Sequence, residues 1–174
     1  MQEPLSSKIC SEELPTEHAE LPEITFVVPY PPSANHYKNH RVIPASRGKK
    51  AMVITYVDDV AKRFRTDVAV LARQAGVRKT KGRVRVFIRL FPHRPLDWAR
   101  RARKDPDFWD DTVQCIDVGN TEKCILDGLN GTAWDDDKQV RSLAVDRECP
   151  DEHGARCIVT ITPIRKLSIA PSLL

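Results

Sequence analysis

"CIDVGNTEKCILDGLNGTAWDDDKQV" (Cys115–Val140) is the stretch on which the reading of this chain turns. A helix begun near Asp117 and stepped at 100° per residue gathers Asn120, Lys123 and Asp127 within about 60° of one another and carries Val118, Ile125 and Leu129 to the opposite side. One face is polar and the other faces a core. Gly131, just beyond Leu129 and Asn130, suits a helix terminator, and Asp117 stands where an N-cap would stand. The polar face has an ordinary explanation as a solvated ridge, with Lys123 and Asp127 an i,i+4 pair worth roughly 0.2–0.5 kcal/mol. The tail "WDDD" asks for more, because adjacent carboxylates repel one another. A Mg2+ ion held by one or two of them, with waters completing the octahedron, would make the run tolerable. An exposed acidic turn accounts for it as well.

Downstream, "KQVRSLAVDRE" (138–148) and "ARCIVTITPI" (155–164) alternate as half-buried strands do, and "CPDEHG" between them reads as a hairpin loop. Upstream, "GRVRVFIRLFP" (82–92) sets Val84, Val86, Ile88 and Leu90 against Arg83, Arg85, Phe87 and Arg89, a strand with one basic face. Residues 93–116 form a loop bearing Arg and Trp, with a helical turn around "DWARRARK". Val53, Val57, Val60, Phe64, Val68 and Leu71, at spacings of three and four, predict an amphipathic helix over 51–75, closed by Gly76. "EITFVVPY" (23–30) predicts the first strand, and "PPSANHYKNHRVIPASRGKK" a long polar loop after it. The order strand, helix, strand, helix, strand, strand predicts an α+β fold, one mixed sheet packed with two main helices. Residues 1–22, acidic and punctuated by proline, read as a flexible extension, 23–165 as the folded domain and 166–174 as a C-terminal tail.

The 174 residues, 41% hydrophobic and 30% charged, suffice for one soluble domain with a real core. No apolar run approaches the ~20 residues of a membrane span, and the N-terminus lacks the basic start and apolar centre of a secretory signal. A cytoplasmic protein is expected. Cys10, Cys115, Cys124, Cys149 and Cys157 are odd in number and scattered, which argues against a disulfide framework or zinc ribbon and for small reduced apolar side chains. Trp98, Trp109 and Trp134 read as core or lid residues. The net charge of +4 matters less than its distribution. Basic residues gather in "RGKK" (47–50), "RKTKGRVR" (78–85) and "RPLDWARRARK" (94–104), the footprint of a protein lying along a phosphate backbone, although solvated charge explains such runs equally well. On the phosphate reading Arg100, Arg101 and Arg103 are candidate contacts, as are His36, Lys38, His40 and Arg41 in the long loop. Tyr37 could stack on an unpaired base.

The quoted string resembles the signature of the RusA family of Holliday junction resolvases, in which D-x-D-N-x-x-K-x-x-x-D-x-L is followed by an Asp-Asp pair and x-Q-V. "VVPYPPSANHYKNHR" is similar to that family's N-terminal strand and its Pro-Pro-Ser-x-Asn loop, which adds Asn35 to the candidate DNA contacts. The likeness covers roughly residues 23–164. It implies a RusA-like homodimer acting on DNA four-way junctions, a Mg2+-dependent endodeoxyribonuclease that resolves them by paired symmetric cuts in recombination and repair. Mn2+ would be a substitute ion; no membrane and no small-molecule cofactor are implied. Carried over by position, Asp117 is the first acidic metal ligand and a catalytic residue. Asp137, in register with Gln139 and Val140, is the later one. Lys123 matches the family's essential lysine, and Asn120 the asparagine beside it. One position departs: Gly119 stands where the second aspartate of D-x-D-N belongs. Asp110, Asp111, Asp127 and Asp136 are candidates to replace that carboxylate, and Asp136 joins the expected metal ligands. The site could instead work with fewer ligands and weaker metal affinity, and retained nuclease activity is the favoured expectation; the alternative is a junction-binding protein with weak or no nuclease activity, and a general or RNA nuclease is a third reading. Any cutting mechanism of this kind needs Asp117 and the 135–137 turn to converge.

Overall fold

The computed structural model describes residues 22–32, 38–46, 48 and 50–164. The C-terminal tail, all of the N-terminal extension but Pro22, and the candidates Asn35, His36 and Tyr37 lie outside the described residues, as does the side chain of Lys38. Along the chain, β1 (Ile24–Pro29) is followed by β2 (Lys38–Ile43), β3 (Met52–Val57), α1 (Asp59–Gln74), β4 (Arg83–Phe91), α2 (Trp98–Lys104), α3 (Val118–Leu129), β5 (Val140–Arg147) and β6 (Arg156–Ile164). The fold is α+β, as expected: a four-stranded mixed sheet in the order β1-β6-β4-β5, with β2 and β3 as a separate two-stranded ribbon.

The period-2 pattern builds the sheet. Val84, Val86, Ile88 and Leu90 of β4 point to the same face as Phe26 and Val28 of β1 and Cys157, Val159 and Ile161 of β6, and all nine are buried. Helices α1 and α3 cover this face with Ala61, Phe64, Val68 and Ala72 from one and Cys124, Ile125 and Leu129 from the other. The two helices meet at Gly128, where an added Cβ would lie 2.8 Å from the Val68 Cβ. Trp134 closes the end of the core and is fully buried. Of the three tryptophans, this one is a core residue; Trp98 is 40% exposed.

Three expectations need correction. The helix predicted over 51–75 starts only at Asp59, because "MVITYV" holds five β-branched or aromatic residues in six and pairs as β3 with β2. The side chain of Asp58 then caps α1 by accepting from the Val60 N–H at 2.8 Å. The long loop after β1 is correspondingly shorter, since its middle supplies β2. The 138–148 and 155–164 segments are strands but not a hairpin: β4 lies between them, parallel to β5 and antiparallel to β6. Their connection carries the chain past the end of β4 and is fixed by a two-pronged ion pair, Arg156 Nη1 to Asp151 Oδ1 at 2.7 Å and Nη2 to Oδ2 at 2.6 Å. Alternation reports which face a residue takes, whereas neighbour choice depends on contacts distant in sequence.

Candidate active site and nucleic-acid interface

Asp117 holds the N-cap position of α3 with extended backbone, yet its carboxylate makes no capping bond to the helix. Its Oδ2 instead accepts from the Asn120 side-chain amide at 3.3 Å, which joins two of the expected site residues. The backbone oxygen of Asp117 accepts from the Asn120 and Thr121 amides, the ordinary first bonds of the helix. The helix start is anchored to the end of β1, where the Tyr30 hydroxyl accepts from the Ile116 N–H at 2.8 Å and donates to the Cys115 Sγ at 3.5 Å. Burial pushes the Tyr30 phenol up to about 12, so it stays protonated as a fixed strut. Tyr30 was not among the sequence candidates; its place between a strand end and the Pro31-Pro32 pair was the available signal. Asp117 and Asn120 line a cleft of about 950 Å³ together with Tyr30, His93, Arg94, Arg101 and Thr112. Arg101 is held against the wall by Asp97, at 2.9 Å, and by the Thr112 Oγ1, at 3.0 Å. The cleft therefore sets one exposed carboxylate among guanidinium groups, which suits a phosphodiester chain.

Lys123 is exposed on α3 and has no ion pair with Asp127, which instead bonds Arg65 of α1 at 2.5 Å. Ile125 and Leu129 face the core as expected, but Val118, in the first turn, is 40% exposed. Gly131 ends the exit from α3 at φ +80°, the left-handed conformation its sequence position suggested.

The "WDDD" run is tolerable for reasons internal to the chain. Lys79 Nζ meets Asp135 Oδ1 at 2.5 Å, Asp136 accepts from the Lys138 N–H at 2.9 Å, and the Trp134 indole N–H donates to Asp137 Oδ1 at 3.1 Å. The Lys138 amide holds the Asp136 carboxyl below the usual carboxylate range. Gln139 ties the turn to the sheet: its Oε1 accepts from the Asp135 and Asp136 amides, and its Nε2 donates to the Thr80 and Gly82 carbonyls at the start of β4.

These bonds place the two expected metal ligands apart. Asp117 sits at the N-terminal end of α3, beside the end of β1; Asp137 sits past its C-terminal end, beside the start of β4. Because β1 and β4 run the same way, both antiparallel to β6, these are opposite ends of the sheet. The twelve residues of α3 alone span about 18 Å. One chain does not bring Asp117 and Asp137 together, contrary to the convergence the sequence reading required. None of Asp110, Asp111, Asp127 and Asp136, the candidates to replace the carboxylate absent at Gly119, lines the Asp117 cleft. Asp127 is bound to Arg65, Asp136 belongs to the distant turn, and Asp110 accepts from the Cys149 thiol at 3.2 Å. Among the described residues no group of three His, Cys, Asp or Glu side chains could hold a metal ion, and of the expected ligands Asp117 alone lines the cleft.

Of the candidate DNA contacts, Arg41 is exposed on β2, and Arg100, Arg101 and Arg103 lie on α2, which buries none of its side chains. Arg101 alone of these reaches the Asp117 cleft. Of the described cysteines, all free thiols, Cys124 and Cys157 are buried as small apolar side chains, whereas Cys115 is half-buried and Cys149 exposed; burial pushes the Cys157 thiol up to about 12.

Residues 29–162 match the family model of endodeoxyribonuclease RusA, most of the chain. Together with the mixed sheet and the carboxylate-bearing cleft, the match defines a DNA nuclease, a hydrolase. The chain belongs to the RusA family of Holliday junction endodeoxyribonucleases. No curated protein matches it. No helix among the described residues is long and apolar enough to cross a membrane.

Proposed function

We propose that this protein cuts DNA four-way junctions by paired phosphodiester hydrolysis, as a homodimer that requires Mg2+. The observation that carries the reading is the Asp117 carboxylate, free of its capping role and set beside Asn120 in a cleft walled by Arg94 and Arg101. A divalent cation held by Asp117 and Asp137 would polarise the phosphate and lower the pKa of a bound water. The chain's own residues do the rest of the work: Arg94 and Arg101 position the strand, Asn120 orients the carboxylate, and Lys123, one turn along α3, presents positive charge to a phosphate.

A second copy is needed because one chain leaves Asp117 and Asp137 at opposite ends of α3. In a two-fold assembly the Asp117 end of one protomer can face the Asp137 turn of its partner, giving two equivalent sites. The β2–β3 ribbon supports association. A lone two-stranded ribbon is marginal in water, and this one exposes Val42 and Val53 on one face and Ile43, Met52, Ile54 and Tyr56 on the other. The direct test is a labelled synthetic junction incubated with and without Mg2+. Symmetric nicks that disappear in Asp117→Asn and in Asp137→Asn are expected. Gly119 favours a second reading, a junction binder without cutting power, and tight binding with no nicks at any metal concentration would establish it.

A further inference from the structure

A second cleft, about 520 Å³, opens beside that of Asp117. It is lined by Arg100, Arg101 and Lys104 of α2, by Trp109 and Thr112, and by Asp97 and Asp105. Arg101 and Thr112 also line the Asp117 cleft, so the two hollows are neighbours that share a wall at one fixed arginine. We propose that this second cleft receives one unpaired nucleotide of the strand whose phosphate lies at Asp117, its base stacked on the Trp109 indole and its phosphates met by Arg100 and Lys104.

The proposal rests on the nuclease reading and adds to it where the strand goes. The volume lies within the roughly 300–1,000 Å³ of small-ligand sites, and an aromatic face flanked by cations is the usual platform for single-stranded nucleic acid. Three cations, Arg100, Arg101 and Lys104, against the two carboxylates Asp97 and Asp105 leave the lining with a net positive charge. Asp97 is bonded to both Arg100, at 2.8 Å, and Arg101, at 2.9 Å, and Asp105 accepts from the Phe108 amide. Lys104 has no ion pair among the described residues, and the Arg100 side chain remains 80% exposed. Trp109 is held in place rather than free. Its ring centroid is 6.3 Å from that of Trp98, tilted by 49°, and the Arg94 guanidinium lies over Trp98 at 4.8 Å. That brace connects the stacking surface to Arg94 of the Asp117 cleft.

The test is binding of the full-length protein to a four-way junction carrying 2-aminopurine beside the crossover, read by fluorescence and by titration. Wild type and Trp109→Phe should both change the 2-aminopurine signal. Trp109→Ala should lose it and bind the junction about 5- to 100-fold more weakly. Lys104→Ala, an exposed change that does not threaten folding, should weaken binding to single-stranded oligonucleotides more than to duplex. If Trp109→Ala and Trp109→Phe bind alike and Lys104→Ala is silent while the wild type still cuts junctions, the nucleotide assignment falls and the nuclease reading stands. A wild type that engages no DNA overturns both.

Discussion

Gly119 occupies the first turn of α3 with ordinary helical backbone and no atom within 4 Å of where a Cβ would stand. Gly119→Asp therefore meets no steric obstacle. It exchanges the poorest helix former after proline for a carboxylate near the positive end of the helix, and should stabilise the protein by about 0.5–1 kcal/mol in urea denaturation at neutral pH. The Arg156–Asp151 ion pair makes stability depend on pH in the acid range. The Arg156 guanidinium holds the Asp151 carboxyl at about 2, below its value of 3.8 in the unfolded chain. Its contribution is complete above pH 3.8 and fades as pH falls through about 2, with Asp151 increasingly protonated. Asp151→Asn should cost about 1 kcal/mol at neutral pH and flatten the fall of the urea midpoint in this acid range. The pairing of Asp117 with Asn120 follows from spacing, since residues three apart on a helix are neighbours, although the sequence reading did not draw it. Asp127 bonding Arg65 was not, since the partners lie 62 positions apart and meet only when α1 packs on α3.

Elements show the same division. The end of α3 could be read from Gly131, and the strands β1, β4, β5 and β6 from their alternation. The start of α1 could not, because Val53 and Val57 fit a helical spacing while their neighbours Ile54, Thr55 and Tyr56 favour a strand, and pairing with β2 decides between them. The α1–α3 contact was equally hidden, since it depends on what Gly128 lacks. A Cβ there would lie 2.8 Å from Val68 Cβ and 3.3 Å from Arg65 Cα, against helix backbone that cannot yield freely. Gly128→Ala should destabilise the protein by about 1–3 kcal/mol, and Val68→Ala combined with it should cost less than the sum of the two single changes. Additive losses in a double-mutant cycle would show that the helices do not touch at this point. The turn at 135–137 teaches a related lesson: Lys79, Lys138, Trp134 and Gln139 account for the carboxylate run that seemed to call for a metal.

At the scale of the whole molecule, the two signature motifs identified the family, but their positions in the fold could not be read from spacing. Twenty residues separate Asp117 from Asp137 in sequence, and α3 uses most of them to carry the chain from one end of the sheet to the other. If the reacting centre forms between protomers, the aspartates of different chains must cooperate, and subunit mixing exposes this. Asp117→Asn and Asp137→Asn proteins, each inactive alone, are unfolded together, refolded and presented with a labelled four-way junction. A site built across the interface leaves each mixed dimer one intact centre, holding Asp117 from one chain and Asp137 from the other, and the mixture should nick one strand. Continued inactivity of a mixture shown to contain mixed dimers would contradict the shared site.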